Sequence, residues 1–297
     1  MVEDLLSVTD LGREGFFDTL ERAGKIKDQS CRSLDNPSLG MLFEKPSTRT
    51  RISFEVAIND IGGFPVDLDE KKLQMSRHES LDDTAKVLSR YLDVLVARVY
   101  SHDKLKKLSE TASIPVINGL SDFLHPCQAL ADIFTIMEKK GLDSNVCFVG
   151  DGNNVCNSLI LASSYTGIDL RVATPEGYEP DERIVERARK NFGKTDGSLE
   201  LFGSPEKAVR DADVVYTDVF VSMGDEKDRM DSFEGFQVDE RFFNRAKNDS
   251  VFMHCLPARR GQEVTTEVID GERSVVFDQA ENRLHTEKAV LLEILEK

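Results

Sequence analysis

The amino-acid sequence predicts an α/β protein with two domains, each a mainly parallel sheet flanked by helices. Short apolar runs alternate with amphipathic helical segments along almost the whole chain, which is the pattern of strand–helix–strand units. The length of 297 residues exceeds what one hydrophobic core usually supports and therefore favours two domains. A helix predicted to end near residues 140–143 marks the boundary, so the first domain spans residues 1–141 and the second begins at residue 142.

In the first half, apolar runs predict strands at residues 41–43, 64–68, 94–97 and 116–118. Apolar residues at helical spacing and capping residues predict helices at 10–24, 54–61, 80–92, 103–112 and 130–137. Glycines after the second and the last of these helices are typical stop signals. In parallel sheets, residues that directly follow strands meet at one edge, so functional side chains are expected there.

The second half repeats this plan without solenoid-length repeats. Strands are predicted at residues 146–149, 170–173, 199–201, 214–216, 251–253 and 275–277. Helices are predicted up to residue 161 and at 181–192, 205–210, 239–247, 264–270 and 287–295.

The charge of the chain is strongly unbalanced. Its 38 basic and 54 acidic residues leave a net charge of −16. Such a surface repels nucleic acid and anionic lipid, so neither is an expected partner. The size of the excess favours a surface adapted to molar salt, where charges are screened over about 3 Å. The alternative is an ordinary acidic enzyme.

Composition also bears on location. No run of about 18 apolar residues is present, so no membrane span is expected. The first residues are acidic, whereas a signal peptide begins with basic ones. Five cysteines, odd in number and without a motif, favour reduced thiols. We therefore expect a cytoplasmic protein.

The turn from Ser47 to Arg51 carries the strongest functional signal. Ser47, Thr48, Arg49, Thr50 and Arg51 lie between a predicted strand and the N-terminus of a predicted helix. Free backbone N–H groups and the helix dipole favour an anion there. Hydroxyls and both guanidinium groups are expected to converge on a phosphate. The alternative is a simple helix cap with solvated arginines.

Two further segments are expected at the same sheet edge. Arg98 ends one predicted strand, and His125 lies in the loop after another, followed by Gln128. The alternative for His125 is an ordinary surface position. The histidines show no ligand spacing with one another or with cysteine, so no metal site is expected.

The second half contains two candidate sites at strand ends. Gly150-Asp151-Gly152 follows a strand, but Val155 stands where a dinucleotide-binding fingerprint needs its third glycine, which disfavours a nucleotide. Asp218 ends another strand. It is a candidate partner for an ammonium group, with a turn cap as the alternative.

Together these segments resemble the aspartate/ornithine carbamoyltransferases, most closely the ornithine branch. The resemblance spans nearly the whole chain and rests on motifs at residues 43–51, 74, 97–100, 125–128, 150–154, 218–224, 254–257 and 281–283. Ser-Met-Gly (222–224) and His-Cys-Leu-Pro (254–257) look like the ornithine branch alone. Val219 and Phe220 depart from the more usual Thr-Trp pair, which affects only the packing expected of that loop.

The resemblance implies transfer of a carbamoyl group from carbamoyl phosphate to the δ-amine of L-ornithine, or the reverse phosphorolysis. It implies that the first domain, completed by a C-terminal helix at about 281–297, binds carbamoyl phosphate and that residues 142–280 bind ornithine. It implies a homotrimer or a multiple of trimers, with no organic cofactor and no metal.

The same resemblance assigns site residues. Those implied for carbamoyl phosphate are Ser47, Thr48, Arg49, Thr50, Gln74, Arg98, His125, Gln128, Cys255, Leu256 and Arg283. Among these, Arg98, His125, Cys255 and Arg283 are implied as catalytic, and Gln74 as reaching a neighbouring subunit's site. Those implied for ornithine are Asn154, Asp218, Ser222 and Met223. Aspartate or putrescine as the acceptor, or a non-catalytic anion-binding protein, are the alternatives.

Overall fold

The chain forms two compact units. A computed structural model describes residues 3–29, 34–69, 79–220 and 227–296. The first unit comprises residues 1–131 with 281–297, and the second comprises residues 132–280. The division thus falls after Ala131, inside a helix, whereas the sequence placed it near residues 140–143. No helix in the described ranges combines the length and apolar character needed to cross a membrane.

The described part of the first unit contains a four-stranded parallel sheet in the order β2-β1-β3-β4. Its strands are β1 (Ser38–Phe43), β2 (Phe64–Asp69), β3 (Val94–Arg98) and β4 (Val116–Leu120). Its helices are α1 (Gly12–Asp28), α2 (Arg49–Asp60), α3 (Leu81–Leu88) and α4 (His102–Thr111), with a 3-10 turn at Val8–Leu11. The helix α5 (Pro126–Lys139) begins in this unit, and α11 (Val276–Leu295) ends in it.

The described part of the second unit contains a five-stranded parallel sheet in the order β7-β6-β5-β8-β9. Its strands are β5 (Asn145–Val149), β6 (Asp169–Ala173), β7 (Ser198–Phe202), β8 (Val214–Thr217) and β9 (Val251–His254). Its helices are α6 (Asn154–Ser163), α7 (Glu182–Phe192), α8 (Pro205–Ala208), α9 (Glu240–Phe243) and α10 (Thr266–Ile269), with a 3-10 turn at Lys227–Phe233. The predicted α/β class with mainly parallel sheets is confirmed.

Strand register determines which loops meet. In the first sheet Phe43 pairs with Arg98, so the turn after β1 begins beside the end of β3. In the second sheet Thr217 pairs with Val149 on one side and with His254 on the other. The order of strands reverses between β1 and β3 in the first sheet and between β5 and β8 in the second, and such places are where open α/β sheets bind ligands.

Local sequence explains these elements. Central strands such as β3 are buried at four consecutive positions, because helices cover both faces of a parallel sheet. Ser80 and Ser101 begin α3 and α4 by accepting hydrogen bonds from backbone N–H groups of the first turn, which are otherwise unpaired.

The predicted strand at residues 275–277 is wrong, because α11 begins at Val276. Only Val275 retains strand-like pairing: its N–H donates to the carbonyl oxygen of Phe252 at 2.9 Å. Val276 is buried, whereas Phe277 is 71% exposed. So short an apolar run does not distinguish a strand from a helix start by periodicity.

Candidate active site

The turn before α2 forms an open helix N-terminus in the first unit. Thr48 is the N-cap residue, its side chain makes no capping hydrogen bond, and the first turn of α2 carries no acidic residue. The Ser47 hydroxyl accepts from the Thr50 N–H at 3.2 Å. Ser47 and Thr48 also line an open cleft. The helix dipole therefore presents positive charge to this cleft, as an anion site requires.

Arg51 also lines this cleft, but its guanidinium is paired with two carboxylates. Its guanidinium contacts Glu55 at 3.0 Å and Asp67 at 3.2 Å, and its side chain is 47% exposed. These carboxylates raise the pKa of Arg51, with Glu55 contributing most. Arg51 lies one helical turn before Glu55, so ordinary i,i+4 pairing holds it on the helix surface.

Arg283 joins three helices of the first unit. It lies on α11 and is 2% exposed. Its Nη1 donates to Gln128 Oε1 on α5 at 2.8 Å, and its Nη2 donates to Thr50 Oγ1 on α2 at 3.2 Å. Glu287, the residue one turn later on α11, accepts from Arg283 Nε at 2.9 Å. Three predicted site residues that are distant in sequence are thus in direct contact.

His125 is a neutral imidazole among positive charges. It is 5% exposed. Burial lowers its pKa well below the ordinary value, and Arg283, Arg98 and Arg49 lower it further. A neutral imidazole near three guanidinium groups can donate a hydrogen bond to an oxygen without adding charge. The predicted edge therefore gathers Arg49, Arg98, His125 and Arg283.

Glu44 links the turn after β1 to the end of β3 by hydrogen bonds. Its N–H donates to the Arg98 carbonyl oxygen at 2.9 Å, and its carboxylate accepts from the Tyr100 N–H at 2.7 Å. Lys104 pairs with the same carboxylate, which is 3% exposed. Sequence reasoning missed this role. The available signal was the charge of Glu44 within the motif at residues 43–51. Its backbone partners lie at and after the end of β3, which the motif does not include.

In the second unit, the residue directly after β8 is Asp218, whose carboxylate accepts several hydrogen bonds. Asp218 is 6% exposed. It accepts from Asn153 Nδ2 at 2.9 Å, from the Val219 N–H at 2.8 Å and from the Cys255 thiol at 3.0 Å. A carboxylate at the end of a strand, with its oxygens already oriented by several donors, is a suitable partner for a cationic ligand.

Asn153 was missed by sequence reasoning, which selected Asn154. The Asn153 side chain caps α6 by accepting from the Val155 and Cys156 N–H groups at 2.9 and 3.1 Å, and its amide nitrogen donates to Asp218. Its position before the helix was the available signal, because asparagine is a preferred N-cap. Asn154 is the first residue of α6.

The glycine-rich turn after β5 is explained by packing. A Cβ atom on Gly152 would lie 2.3 Å from the backbone nitrogen of Pro180, so only glycine fits there. Its neighbour Asp151 accepts from Arg229 Nη2 at 2.7 Å, and the Arg229 guanidinium lies 4.7 Å from the Tyr178 ring centroid. Close backbone approach and an ion pair thus account for these residues, in keeping with the incomplete nucleotide fingerprint.

The turn after β9 carries Cys255 and Leu256. Leu256 has a φ of 58°, a left-handed conformation that non-glycine residues adopt only when their surroundings hold them there. The Leu256 N–H donates to His254 Nδ1 at 2.8 Å. His254 Nε2 therefore carries the proton and faces Glu263 Oε1 at 3.3 Å.

Asp218, His254 and Cys255 place possible metal-ligand atoms within 4.8 Å of one another. Both ring nitrogens of His254 have protein partners, so the ring would have to break one contact to bind a metal. Three predicted site residues, Gln74, Ser222 and Met223, lie outside the described residues.

Comparisons with known proteins agree over the whole chain. Residues 3–138 match the family model described as aspartate/ornithine carbamoyltransferase, carbamoyl-P binding domain. Residues 142–294 match the model of the Asp/Orn binding domain of the same family.

Curated relatives cover nearly the full length. Ornithine carbamoyltransferase of Pyrococcus horikoshii is 52% identical over 98% of this chain and 95% of its own. A protein of Halobacterium salinarum named as the catabolic ornithine carbamoyltransferase is 48% identical over 98% of both chains. A protein of Pyrococcus furiosus named as the anabolic enzyme is 52% identical over 97% of this chain and 95% of its own.

Solved structures agree with this. Ornithine carbamoyltransferase from Pyrococcus furiosus superposes with a TM-score of 0.94 at 50% identity, covering 99% of this chain and 97% of the other. The enzyme from Thermus thermophilus gives a TM-score of 0.91 at 41% identity, covering 99% of both chains. The resemblance inferred from the motifs is confirmed, and the chain belongs to the aspartate/ornithine carbamoyltransferase family.

Proposed function

We propose that this protein transfers the carbamoyl group of carbamoyl phosphate to the δ-amine of L-ornithine, giving L-citrulline and phosphate. The observation that carries this proposal is the cluster of Arg49, Arg98 and Arg283 around a neutral His125 in the first unit. It offers fixed positive charge for a phosphate and a neutral donor for a carbonyl oxygen. The direction in the cell is either this synthesis or its reversal by phosphorolysis.

Residues 1–141 and about 281–297, which include the whole first unit, are the proposed carbamoyl-phosphate domain, as predicted from the sequence. Ser47, Thr48, Arg49 and Thr50 hold the phosphate, and Arg98, His125 and Gln128 face the carbamoyl group. The candidates that complete the site are Gln74, Cys255, Leu256 and Arg283. No organic cofactor and no metal takes part in this scheme.

The reaction requires charge stabilisation. The neutral δ-amine attacks the carbamoyl carbon, a C–N bond forms, and negative charge develops on the carbonyl oxygen. The C–O bond to phosphate then breaks, and the departing phosphate takes the proton that the attacking nitrogen gives up. Arg98 and the neutral His125 are donors for that oxygen. Thr50 accepts from Arg283, so its own hydroxyl proton is directed away from that guanidinium and toward substrate. The arginines neutralise the departing phosphate, and no covalent enzyme intermediate is needed.

Residues 142–280, which lie within the second unit, are the proposed ornithine domain. Asp218 binds the α-ammonium group, and Asn154, Ser222 and Met223 complete the contacts. The ornithine δ-ammonium, with a pKa near that of lysine at about 10.4, must lose its proton before attack. Aspartate is disfavoured as the acceptor because its second carboxylate would need basic side chains, where this chain has Ser-Met-Gly at residues 222–224. Putrescine is disfavoured because it has no α-ammonium group bearing a neighbouring carboxylate.

The proposed reaction is tested by comparing three possible acceptors of the carbamoyl group. Citrulline formation is measured from carbamoyl phosphate with ornithine, and carbamoylation is measured in parallel with aspartate and with putrescine. We expect turnover with ornithine to exceed that with either alternative by orders of magnitude. Turnover with aspartate or putrescine alone would replace the proposed acceptor, and no turnover with any would favour a non-catalytic anion-binding protein.

We further propose a homotrimer or a multiple of trimers, in which Gln74 serves a neighbouring subunit. Exposed apolar side chains on the first unit support an interface: Ile52 and Val56 lie one turn apart on α2 and are 52% and 38% exposed. Phe64 and Tyr100 are 41% and 56% exposed. Apolar surface of this kind is typical of subunit contacts.

Mixing two inactive variants tests the shared site. Subunits carrying Gln74→Ala and subunits carrying His125→Ala should partly restore activity in hybrids, because some sites then hold both native residues. With subunit exchange verified by mass, a mixture no more active than its parents would place Gln74 in its own subunit's site or outside any site.

We also propose a cytoplasmic location and adaptation to salt. The described cysteines are free thiols, and burial raises the pKa of Cys127 and of Cys147 to about 12. Such thiols are inert toward oxidation and suit a reducing compartment. The net charge of −16 supports the salt adaptation.

A further inference from the structure

Glu287 contacts the arginine cluster but belongs to none of the predicted sets of site residues. It lies on α11, one helical turn after Arg283, and is 1% exposed. Its Oε1 accepts from Arg283 Nε at 2.9 Å and from Arg283 Nη2 at 2.5 Å. One edge of the guanidinium is therefore held by this carboxylate.

The contact fixes how Arg283 presents its other N–H groups. A guanidinium has five N–H donors in one rigid plane. With Nε and one proton of Nη2 held by Glu287, Nη1 and the second Nη2 proton point to Gln128 and Thr50. Rotation of Arg283 away from Gln128 and Thr50 would break the contact with Glu287.

Glu287 also changes the charge of the site. The imidazole of His125 is neutral, and Arg49, Arg98 and Arg283 all act on it. These three positive charges and the one negative charge of Glu287 sum to +2, from +3 and −1. A phosphate group carries about 1.5 to 2 negative charges at neutral pH. The three arginines together with the Glu287 partner of Arg283 therefore match the charge of the anion instead of exceeding it.

Burial of this carboxylate is not favourable by itself. Burial raises the pKa of Glu287, while Arg283 and the hydroxyl of Ser53 act in the opposite direction. A buried ion pair is weak evidence for stability, because the cost of desolvating both groups offsets their attraction. A role in ligand binding accounts for the carboxylate better than a role in folding.

We propose that Glu287 is a positioning residue that aims Arg283 at Thr50 and Gln128 and that lowers the affinity of the site for phosphate, so that the anion can leave. This inference rests on the proposed function, because it assumes that the arginine cluster receives the phosphate of carbamoyl phosphate. Glu287 would thus influence the release of phosphate without contacting it, by acting through Arg283.

The test measures binding of inorganic phosphate by calorimetry at low, constant ionic strength. Glu287→Gln removes the charge and keeps an acceptor for Arg283, so phosphate should bind roughly tenfold more tightly, because one buried negative charge no longer repels the anion. Glu293→Gln is the matched control. Glu293 lies on the same helix and accepts from Thr19 Oγ1 at 2.8 Å, so its loss should leave phosphate affinity unchanged.

Further variants separate charge from position. Glu287→Asp keeps the charge but shortens the side chain, so phosphate affinity should stay near that of the parent while kcat falls with little change in KM. Glu287→Ala removes both, so phosphate should bind more tightly and kcat should fall. It provides the charge test if the glutamine variant does not fold.

Equal or weaker phosphate binding by the charge-removing variants would overturn the inference, as would unchanged kcat in the aspartate variant. A parent protein that binds phosphate but forms no citrulline would refute the proposed function and leave the charge measurement interpretable. A parent that binds no phosphate would refute both.

Discussion

The Cys255 thiol donates a hydrogen bond to the Asp218 carboxylate at 3.0 Å, although the two residues follow different strands of the second sheet. Strand register brings them together, because β8 and β9 are neighbours and Thr217 pairs with His254. A polarisable donor thus lies on the carboxylate proposed to bind the α-ammonium group of ornithine.

This relationship predicts the effect of changing Asp218. Asp218→Asn should raise KM for ornithine by about 10- to 150-fold, because loss of a charged hydrogen bond costs about 1.5–3 kcal/mol. Cys255→Ser keeps a donor to Asp218 and should change this KM much less. Steady-state kinetics at saturating carbamoyl phosphate gives both values. An asparagine variant with the parent's KM for ornithine would remove Asp218 from the ornithine site.

Arg49 and Arg51 form a matched pair for testing the phosphate site. Arg49→Lys should weaken carbamoyl phosphate binding by about 10- to 150-fold, because an ammonium group cannot reproduce a planar, multiply hydrogen-bonded contact. Arg51→Lys should cost little, since Arg51 is half exposed and pairs with Glu55 and Asp67. Calorimetry on both variants measures the difference. Equal losses of affinity would mean that both arginines, or neither, contact the phosphate.

The lowered pKa of His125 leads to a prediction of how the stability of the fold depends on pH. Its pKa in the folded protein lies well below 6.5, so the unfolded chain binds more protons at this residue as pH falls through 6.5. The contribution of His125 to stability is therefore present above pH 6.5 and is lost below it, by up to about 1.4 kcal/mol per pH unit. In urea unfolding between about pH 7.5 and about pH 5.5, His125→Gln should lose less stability than the parent.

His102 and His285 also have lowered pKa values, mainly through burial, and they remain in both proteins. The difference between parent and variant therefore isolates His125. Identical pH dependence in the two would show that folding leaves the pKa of His125 unchanged. The same neutrality predicts that kcat/KM has no inflection near pH 6.5 that depends on His125.

The acidic surface predicts a response to salt. Raising potassium chloride from about 0.1 M to about 2 M shortens the screening length severalfold and should relieve repulsion within a subunit of charge −16. Both the thermal midpoint and the activity should rise, and unfolding or subunit dissociation should appear at low salt. Equal stability and full activity at both concentrations would indicate an ordinary acidic enzyme and leave the proposed reaction untouched.

Much of the fold could be predicted because buried parallel strands are short apolar runs and their helices have clear caps. The meeting of the turn after β1 with Arg98 was predictable for the same reason, since both follow neighbouring strands. The ion-pair partners of individual side chains were harder to predict. Sequence alone did not place Arg51 against Glu55 and Asp67, because competing carboxylates for a surface arginine depend on the folded surface.

Glu287 shows how one wrong boundary hides a contact. Helical spacing makes residues four apart neighbours, so Arg283 and Glu287 could have been paired from the sequence. The predicted helix began at residue 287, and the apolar run at 275–277 was assigned to a strand. Arg283 therefore lay outside the helix predicted from the apolar pattern, although the resemblance implied a helix at about 281–297, and the relation did not emerge.

The first unit is discontinuous in the chain, since residues 281–297 belong to it together with residues 1–131. During synthesis, Thr50 and Gln128 leave the ribosome long before Arg283, which contacts both. The anion site of the nascent first unit therefore stays incomplete until residue 283 has been translated. A chain that ends within the second unit lacks Arg283 at this site, however well its first 131 residues fold. Binding of carbamoyl phosphate at the complete site therefore stabilises only chains that include Arg283.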